Sequence, residues 1–204
     1  MLSDVGESEI PEAEGAKSRD GSGRPRSALA DAAILEAATE LFCDLGYEGL
    51  SFEGVAAKAG VGKTTIYRRY PTKLDLVMAV NGCLSTGMVS QPDTGTLRDD
   101  LVAIASGFHT MLSQTNAGRA IPKILAAKLA NPELARAHEA FVAGRRDITV
   151  GVIRRGIERG ELPAETDPML IADLITGALF LRVFVTGQPV TRSYLDALVD
   201  QILT

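Results

Sequence analysis

Tryptophan is absent from this 204-residue chain, aromatic residues make up only 5% of it, and it has two cysteines, Cys43 and Cys83. The cysteines lie far apart and match no metal or redox spacing, so they read as isolated thiols of a reducing compartment, not as a disulfide framework. Glycine is frequent but follows no three-residue period, which excludes a collagen-like fibre. Uninterrupted apolar runs stop short of the roughly 18 to 20 residues that cross a bilayer, so no membrane partner is expected. The first residues are acidic and lack the apolar stretch of a secretory signal, and a cytoplasmic location is expected. Sustained period-two alternation is missing, so an all-α fold is expected. No nucleophile, base and orienting group recur at a recognisable spacing, and no metal or cofactor motif occurs. Neither an enzyme nor a cofactor is therefore expected.

What is present is a globular composition, 46% apolar and 23% charged, with a net charge of −5. A uniformly acidic protein would avoid nucleic acid, but the charge is uneven. Met1 to Ser22 carries six acids against Lys17 and Arg19. Between Glu53 and Asp75 there is no acid at all, while Lys58, Lys63, Arg68, Arg69 and Lys73 fall inside. Screening confines distant charges to about 8 Å at physiological salt, so a local basic patch can dock on phosphate.

Residues 1–23 are rich in Glu, Ser, Gly and Asp and nearly empty of large apolar side chains, the composition of a disordered tail. Gly23-Arg24-Pro25-Arg26 reads as a short basic arm. From Ser27 to Leu45, Ile34, Ala38, Leu41, Phe42 and Leu45 recur at helical spacing, and Gly46 supplies a stop. Ser51 has the chemistry to cap a second helix, Phe52 to Ala59, closed by Gly60. A third runs from about Lys63 to Tyr70, ended by Pro71, and Thr72 caps a fourth. Beyond Pro92, helices are expected over Thr96–Ser113, Ala117–Ala130, Pro132–Arg159, Pro168–Thr186 and Thr191–Leu203, punctuated by Asn131-Pro132, Asp167-Pro168 and Gly187-Gln188-Pro189.

The segment from Ser51 to Tyr70 has the logic of a helix-turn-helix. Two steeply crossing helices need a small residue at their closest approach, here Ala56, and the tight turn needs a residue tolerant of positive φ, here Gly60. Val55, Val61 and Ile66 are placed to pin the pair from inside. At about 100° per residue the third helix buries Ile66 and Tyr70 on one face and turns Thr64, Thr65 and Arg68 outward. Those three are expected to face the major groove, where arginine pairs with guanine and threonine offers its methyl to thymine. Lys63, Tyr67 and Arg69 flank that face, where phosphate strands pass. Ser51 and Lys73, near helix N-termini, suit phosphate as well, and Arg24 and Arg26 could reach the adjacent minor groove.

Gly60-Val61-Gly62-Lys63-Thr64 imitates the end of a phosphate-binding loop, which would make the chain a nucleotide-binding enzyme. The first glycine that such a loop requires is replaced by Ala57, and a strand should precede it where Phe52–Ala59 reads as helix. That rival is set aside.

Leu45-Gly46-Tyr47-Glu48-Gly49-Leu50-Ser51, Val55-Ala56-Ala57-Lys58-Ala59-Gly60-Val61 and Thr65-Ile66-Tyr67-Arg68-Arg69-Tyr70-Pro71-Thr72-Lys73 together resemble the N-terminal domain of the TetR family of transcriptional repressors, over about Ser27 to Val80. Gly62 stands where the family often has Ser, and Thr64 where it often has Gly. The resemblance implies a homodimer on a palindromic operator, with a three-helix DNA-binding domain (24–73) and a larger helical domain for effector binding and dimerisation (74–204). Asn131-Pro132-Glu133-Leu134-Ala135, Arg159-Gly160-Glu161-Leu162, Asp167-Pro168 and Val185-Thr186-Gly187-Gln188-Pro189 resemble one C-terminal variety of the family. A DNA-binding protein with no small-molecule effector is the alternative.

The last two helices are apolar on several faces. Leu170, Ile171, Leu174, Ile175, Ala178, Leu179, Leu181, Val183 and Phe184 nearly surround one, so a second copy covering them is expected. Phe108, Met111, Phe141, Phe180 and Phe184 are the candidate lining of an effector pocket, with His109 and His138 as polar handles. Arg145, Arg146, Arg154, Arg155 and Arg159 read as ion-pair partners of neighbouring helices in preference to anion ligands.

Overall fold

Polar caps, glycine and proline cut the chain into helices close to where the sequence places them. The computed structural model describes residues 23–84 and 91–204, with side chains from Ala28 onward. The described residues contain no strand. The elements are α1 (Gly23–Gly49), α2 (Phe52–Ala59), α3 (Lys63–Tyr67), α4 (Lys73–Leu84), α5 (Leu97–Gln114), α6 (Asn116–Ala130), α7 (Pro132–Glu158), α8 (Pro168–Phe180) and α9 (Arg192–Ile202). A π-helical turn, Leu181–Thr186, extends α8.

α1 opens four residues before the expected Ser27, so Arg24 and Arg26 sit on its first turn and not in a preceding arm. Pro25 fits there because N–H groups of the first turn have no intrahelical acceptor, so a residue without one forfeits no bond. The side chains of Arg24 and Arg26, like the acidic segment 1–22, lie outside the described residues. Gly46, at φ 72°, breaks α1, and a last turn carries the chain to Leu50, whose N–H meets the Gly46 carbonyl at 3.2 Å. Caps follow the expected chemistry. Ser51 Oγ accepts the Gly54 N–H at 3.1 Å, and Thr72 and Asp75 cap each other's backbone across the start of α4. The Asn131 side chain accepts from Glu133 and Leu134 at the head of α7. Each such cap contributes about 1 kcal/mol.

Two apolar cores form. The first joins Ile34, Phe42, Leu50, Val55, Ile66, Leu76 and Val80 of α1–α4 to Ala120 and Ile124 of α6 and Leu134 of α7. The second gathers Leu97, Leu101, Met111, Val152, Ile153, Ile175, Leu179, Leu195 and Val199 from α5 and α7–α9. α6 is the strut between the halves. Arg119 pairs with Asp44 at 2.7 Å, Lys123 donates to the Asp44 carbonyl at 2.8 Å, and Asn131 donates to the Tyr47 hydroxyl at 3.2 Å. The first core reaches past Lys73 into α4, which thereby packs with both α1 and the start of the larger half.

The stretch Pro168–Thr186, mean hydropathy 1.9, is by length and composition long and apolar enough to cross a bilayer. Asp173 and Arg182 divide it, so its uninterrupted apolar runs stay short, as expected from the sequence. One side is buried through Ile171, Ile175 and Leu179, while Leu170, Leu174, Leu181 and Val185 are exposed.

Candidate nucleic-acid interface

The crossing of α2 and α3 is built as its residues require. Ala56 is buried at the approach, and Gly60 takes the left-handed conformation (φ 66°, ψ 31°) that ends α2. The Val61 N–H then bonds back to the Ala56 carbonyl at 3.1 Å, closing the turn. Ile66 is fully buried beneath α3, with Tyr70 half-buried beside it. Thr64 and Arg68 are exposed on the opposite side and Thr65 is partly covered. The exit of α3 is continued by the N–H groups of Arg68, Arg69 and Tyr70, which bond to carbonyls of Thr64 and Ile66.

The flanking basic residues differ in how freely they can meet a phosphate. Lys63 Nζ is held 2.7 Å from Glu53 Oε1. Their shared hydrogen bond raises the lysine pKa and lowers that of the glutamate. Lys73 lies over the Tyr47 ring, 4.8 Å from its centroid, and donates to the Glu48 carbonyl at 3.1 Å. Tyr67 packs at a tilt against Phe52, centroids 4.4 Å apart, and remains exposed. Arg69 is turned inward: its guanidinium pairs with Asp31 of α1 and donates to the Thr65 carbonyl at 3.1 Å. The sequence placed Arg69 on a phosphate strand, whereas the structure uses it to brace α3 against α1. Asp31, Glu53 and Phe52 were all missed. Only tertiary proximity marks Asp31, 38 residues away from Arg69.

Residues 34–80 match the profile of bacterial regulatory proteins of the tetR family, and residues 91–202 match that of the tetracyclin repressor-like C-terminal domain. The chain belongs to the TetR family. It is similar to the uncharacterized HTH-type transcriptional regulator YdeS of Bacillus subtilis, 32% identical over 178 residues, 87% of this chain and 89% of that one. It is also 30% identical to the DNA-binding transcriptional repressor TetR of Mycobacteroides abscessus over 190 residues, covering 87% and 94% of the two chains. The crystal structure of a TetR family transcription regulator superimposes at a TM-score of 0.69 with 30% identity, over 85% of this chain and 96% of that one. The fold is shared with the transcriptional regulator FadR from Bacillus subtilis, solved with stearoyl-CoA, at a TM-score of 0.67 and 22% identity, over 85% and 95% of the chains. The α2–turn–α3 unit is thus the helix-turn-helix of a DNA-binding transcriptional regulator.

In this TetR-family chain the phenylalanines of the larger half fall into two groups. Phe108, Phe180 and Phe184 form a ladder, with centroids 5.8 and 5.2 Å apart, packed against the second core beside buried Met111. Phe141 stands in a separate group on α7, stacked on His138 at 6.5 Å and lying beneath Arg145 at 5.8 Å. His138 is buried, its pKa lowered by burial and next by Lys128, and its Nδ1 approaches Asn81 Nδ2 of α4 at 3.5 Å. Of the five arginines read as ion-pair partners, Arg146 pairs with Asp173, and Arg159 with Glu161, Asp93 and Asp100, while Arg154 is exposed. Arg155 donates to the Pro92 carbonyl at 2.8 Å. Arg145 is partly covered and lies over the Phe141 ring. On the far side, a groove of about 500 Å³ between α8 and α9 is lined by Leu174, Gly177, Ala178, Leu198 and Ile202.

Proposed function

We propose that the protein is a repressor that binds a palindromic double-stranded operator as a homodimer and is released by a small-molecule effector. The observation that carries the DNA contact is the acid-free outer face of α3, with Thr64 and Arg68 exposed above a fully buried Ile66. Thr64, Thr65 and Arg68 read bases. Ser51, Lys63, Tyr67 and Lys73 lie along the phosphate strands with Arg24 and Arg26 beyond them, and Arg69 holds α3 in place. The operator contacts end at Lys73, so residues 24–73 act as the reading unit and 74–204 as the unit that senses and dimerises, with 1–23 as a tail.

The exposed Leu170, Leu174, Leu181 and Val185 beside the α8–α9 groove support an isologous interface with a second copy, not a lipid contact. Asp173 and Arg182 within the same stretch would be costly in a bilayer. Such a dimer sets two recognition helices about 34 to 36 Å apart, one turn of DNA. An effector that favours another spacing weakens operator binding by the factor by which operator weakens effector binding. The FadR neighbour, solved in complex with stearoyl-CoA, supports a ligand-responsive reading of this fold. Regulation without catalysis, in the cytoplasm, fits this reading.

The test is an anisotropy titration of operator fragments selected from the source genome, comparing the protein with Arg68→Ala. Loss of a guanine-reading arginine should cost about 1–3 kcal/mol and relax preference at one position of each half-site. Unchanged affinity and preference would overturn the groove assignment.

A further inference from the structure

Six arginines among the described residues are partly covered: Arg69, Arg98, Arg145, Arg146, Arg155 and Arg182. Five have oxygen partners, namely Asp31, Asp200, Asp173, the Pro92 carbonyl and the Pro189 carbonyl in that order. Arg145 meets only the Phe141 ring, and no carboxylate among the described residues reaches it. Burial pushes its pKa down with no opposing contribution from an acid. A guanidinium partly stripped of water with no counter-charge is unfavourable, and a fold gains nothing by keeping one at a purely structural position.

Its place in the fold gives it a use. Leu134, His138, Phe141, Arg145 and Val152 follow one another at three-, four- and seven-residue spacing along one face of α7. Leu134 belongs to the first core and Val152 to the second, both fully buried. Between them the same face carries His138, Phe141 and Arg145, followed by the half-buried Ile148. His138 at one end of this gap touches Asn81 of α4, the helix that leads from the DNA-reading unit.

We propose that Arg145 anchors the anionic head group, carboxylate or phosphate, of an amphipathic effector whose apolar body lies along Phe141. This rests on the effector reading above and adds the chemical class of the ligand. A planar guanidinium presents paired N–H donors to either anion, and replacing lost hydration with a charge-assisted pair is what makes the site favourable only when occupied. The ring of Phe141 separates the anchor from His138, so an occupant there presses on the contact with α4.

The experiment uses the full chain and three monomeric probes of equal length: sodium octanoate, octyl phosphate and 1-octanol. Calorimetric titration should give at least one anion a Kd about tenfold or more below that of octanol, the margin of one charge-assisted pair. The better of the two anions distinguishes carboxylate from phosphate. Arg145→Gln should bring that anion within about threefold of octanol while leaving octanol affinity unchanged, and it should raise or leave unchanged the Tm of the unliganded protein. Arg145→Lys should keep part of the preference. Equal binding of anions and octanol by the unaltered protein, an anion preference that survives in Arg145→Gln, or no binding of any probe would each overturn the proposal. The broader effector reading fails separately, if no ligand of any charge weakens operator binding.

Discussion

Glu53 and Lys63 face each other across the helix-turn-helix, Oε1 to Nζ at 2.7 Å, so an acid from the start of α2 holds the first base of α3. Both side chains are more than half exposed, and the pair sits beside the helix face assigned to the major groove. The glutamate is therefore both a competitor for the lysine and a negative charge set against the phosphate strand.

Glu53→Gln should raise operator affinity. With Lys63 freed to meet a phosphate, the slope of log K against log salt should steepen by about 0.9, the increment for one contact on duplex DNA. Anisotropy titrations between low and moderate salt read both quantities. A fall in affinity would show instead that the ion pair is needed to aim α3.

Arg69 and Asp31 predict an effect of unusual sign. Asp31 is an acid near DNA, and if Arg69 served a phosphate, removing Asp31 would release the arginine and strengthen binding. With Arg69 as a brace between α1 and α3, Asp31→Ala and Arg69→Ala should both weaken operator binding and lower Tm together. Asp31 is 43% exposed, so the pair is worth about 1 kcal/mol after screening, a shift of roughly 2–4 °C. Tighter binding by Asp31→Ala would restore Arg69 to the phosphate strand.

At Gly60 an added Cβ would meet no atom within 4 Å, so the requirement for glycine is purely one of backbone conformation at φ 66°. Gly60→Ala should cost roughly 1–2 kcal/mol, the penalty of the left-handed region, and Gly60→Asn clearly less. Urea unfolding distinguishes this from a packing role, in which Asn, the larger residue, would do more harm than Ala.

These contrasts show which parts of the molecule can be read from sequence. The Ser51 cap, the Gly60 turn and the burial of Ile66 depend on residues within one or two turns of one another, and their chemistry is written locally. The partners of Lys63, Arg69 and His138 lie 10, 38 and 57 residues away, and no periodicity announces them. The candidate pocket lining divides for the same reason. Five apolar residues at helical spacing looked equivalent, yet packing sends Phe108, Phe180 and Phe184 to one ladder and Phe141 to a separate group with His138 and Arg145. The π-helical turn after Phe180 gave no signal either, since its residues continue the apolar pattern of α8.

Leu174 is half exposed at the rim of the α8–α9 groove, so a charge there is tolerated by the folded subunit but not by a covered interface. Leu174→Glu should sediment as a monomer at micromolar concentration and bind the operator far more weakly, because two half-sites are then engaged separately. An unaltered dimer mass would place the subunit contact elsewhere.

His138 gives the protein a defined acid sensitivity. Burial, the largest cause, and then Lys128 lower its pKa, while Glu139 opposes them, and its neighbour on α4 is the neutral Asn81. The unfolded chain therefore takes up this proton more readily than the folded one, at about pH 6.5. The stability tied to neutral His138 is complete above that pH and is lost as pH falls from about 6.5 through the lower folded value, with a slope of at most about 1.4 kcal/mol per pH unit. His138→Gln keeps a polar partner for Asn81 and removes the titration. Its urea midpoint should therefore fall less steeply than that of the unaltered protein between pH 7 and pH 5, and parallel curves would mean that the proton is accommodated without cost. Since Asn81 lies on α4, the same pH window should also weaken operator binding in the unaltered protein more than in His138→Gln.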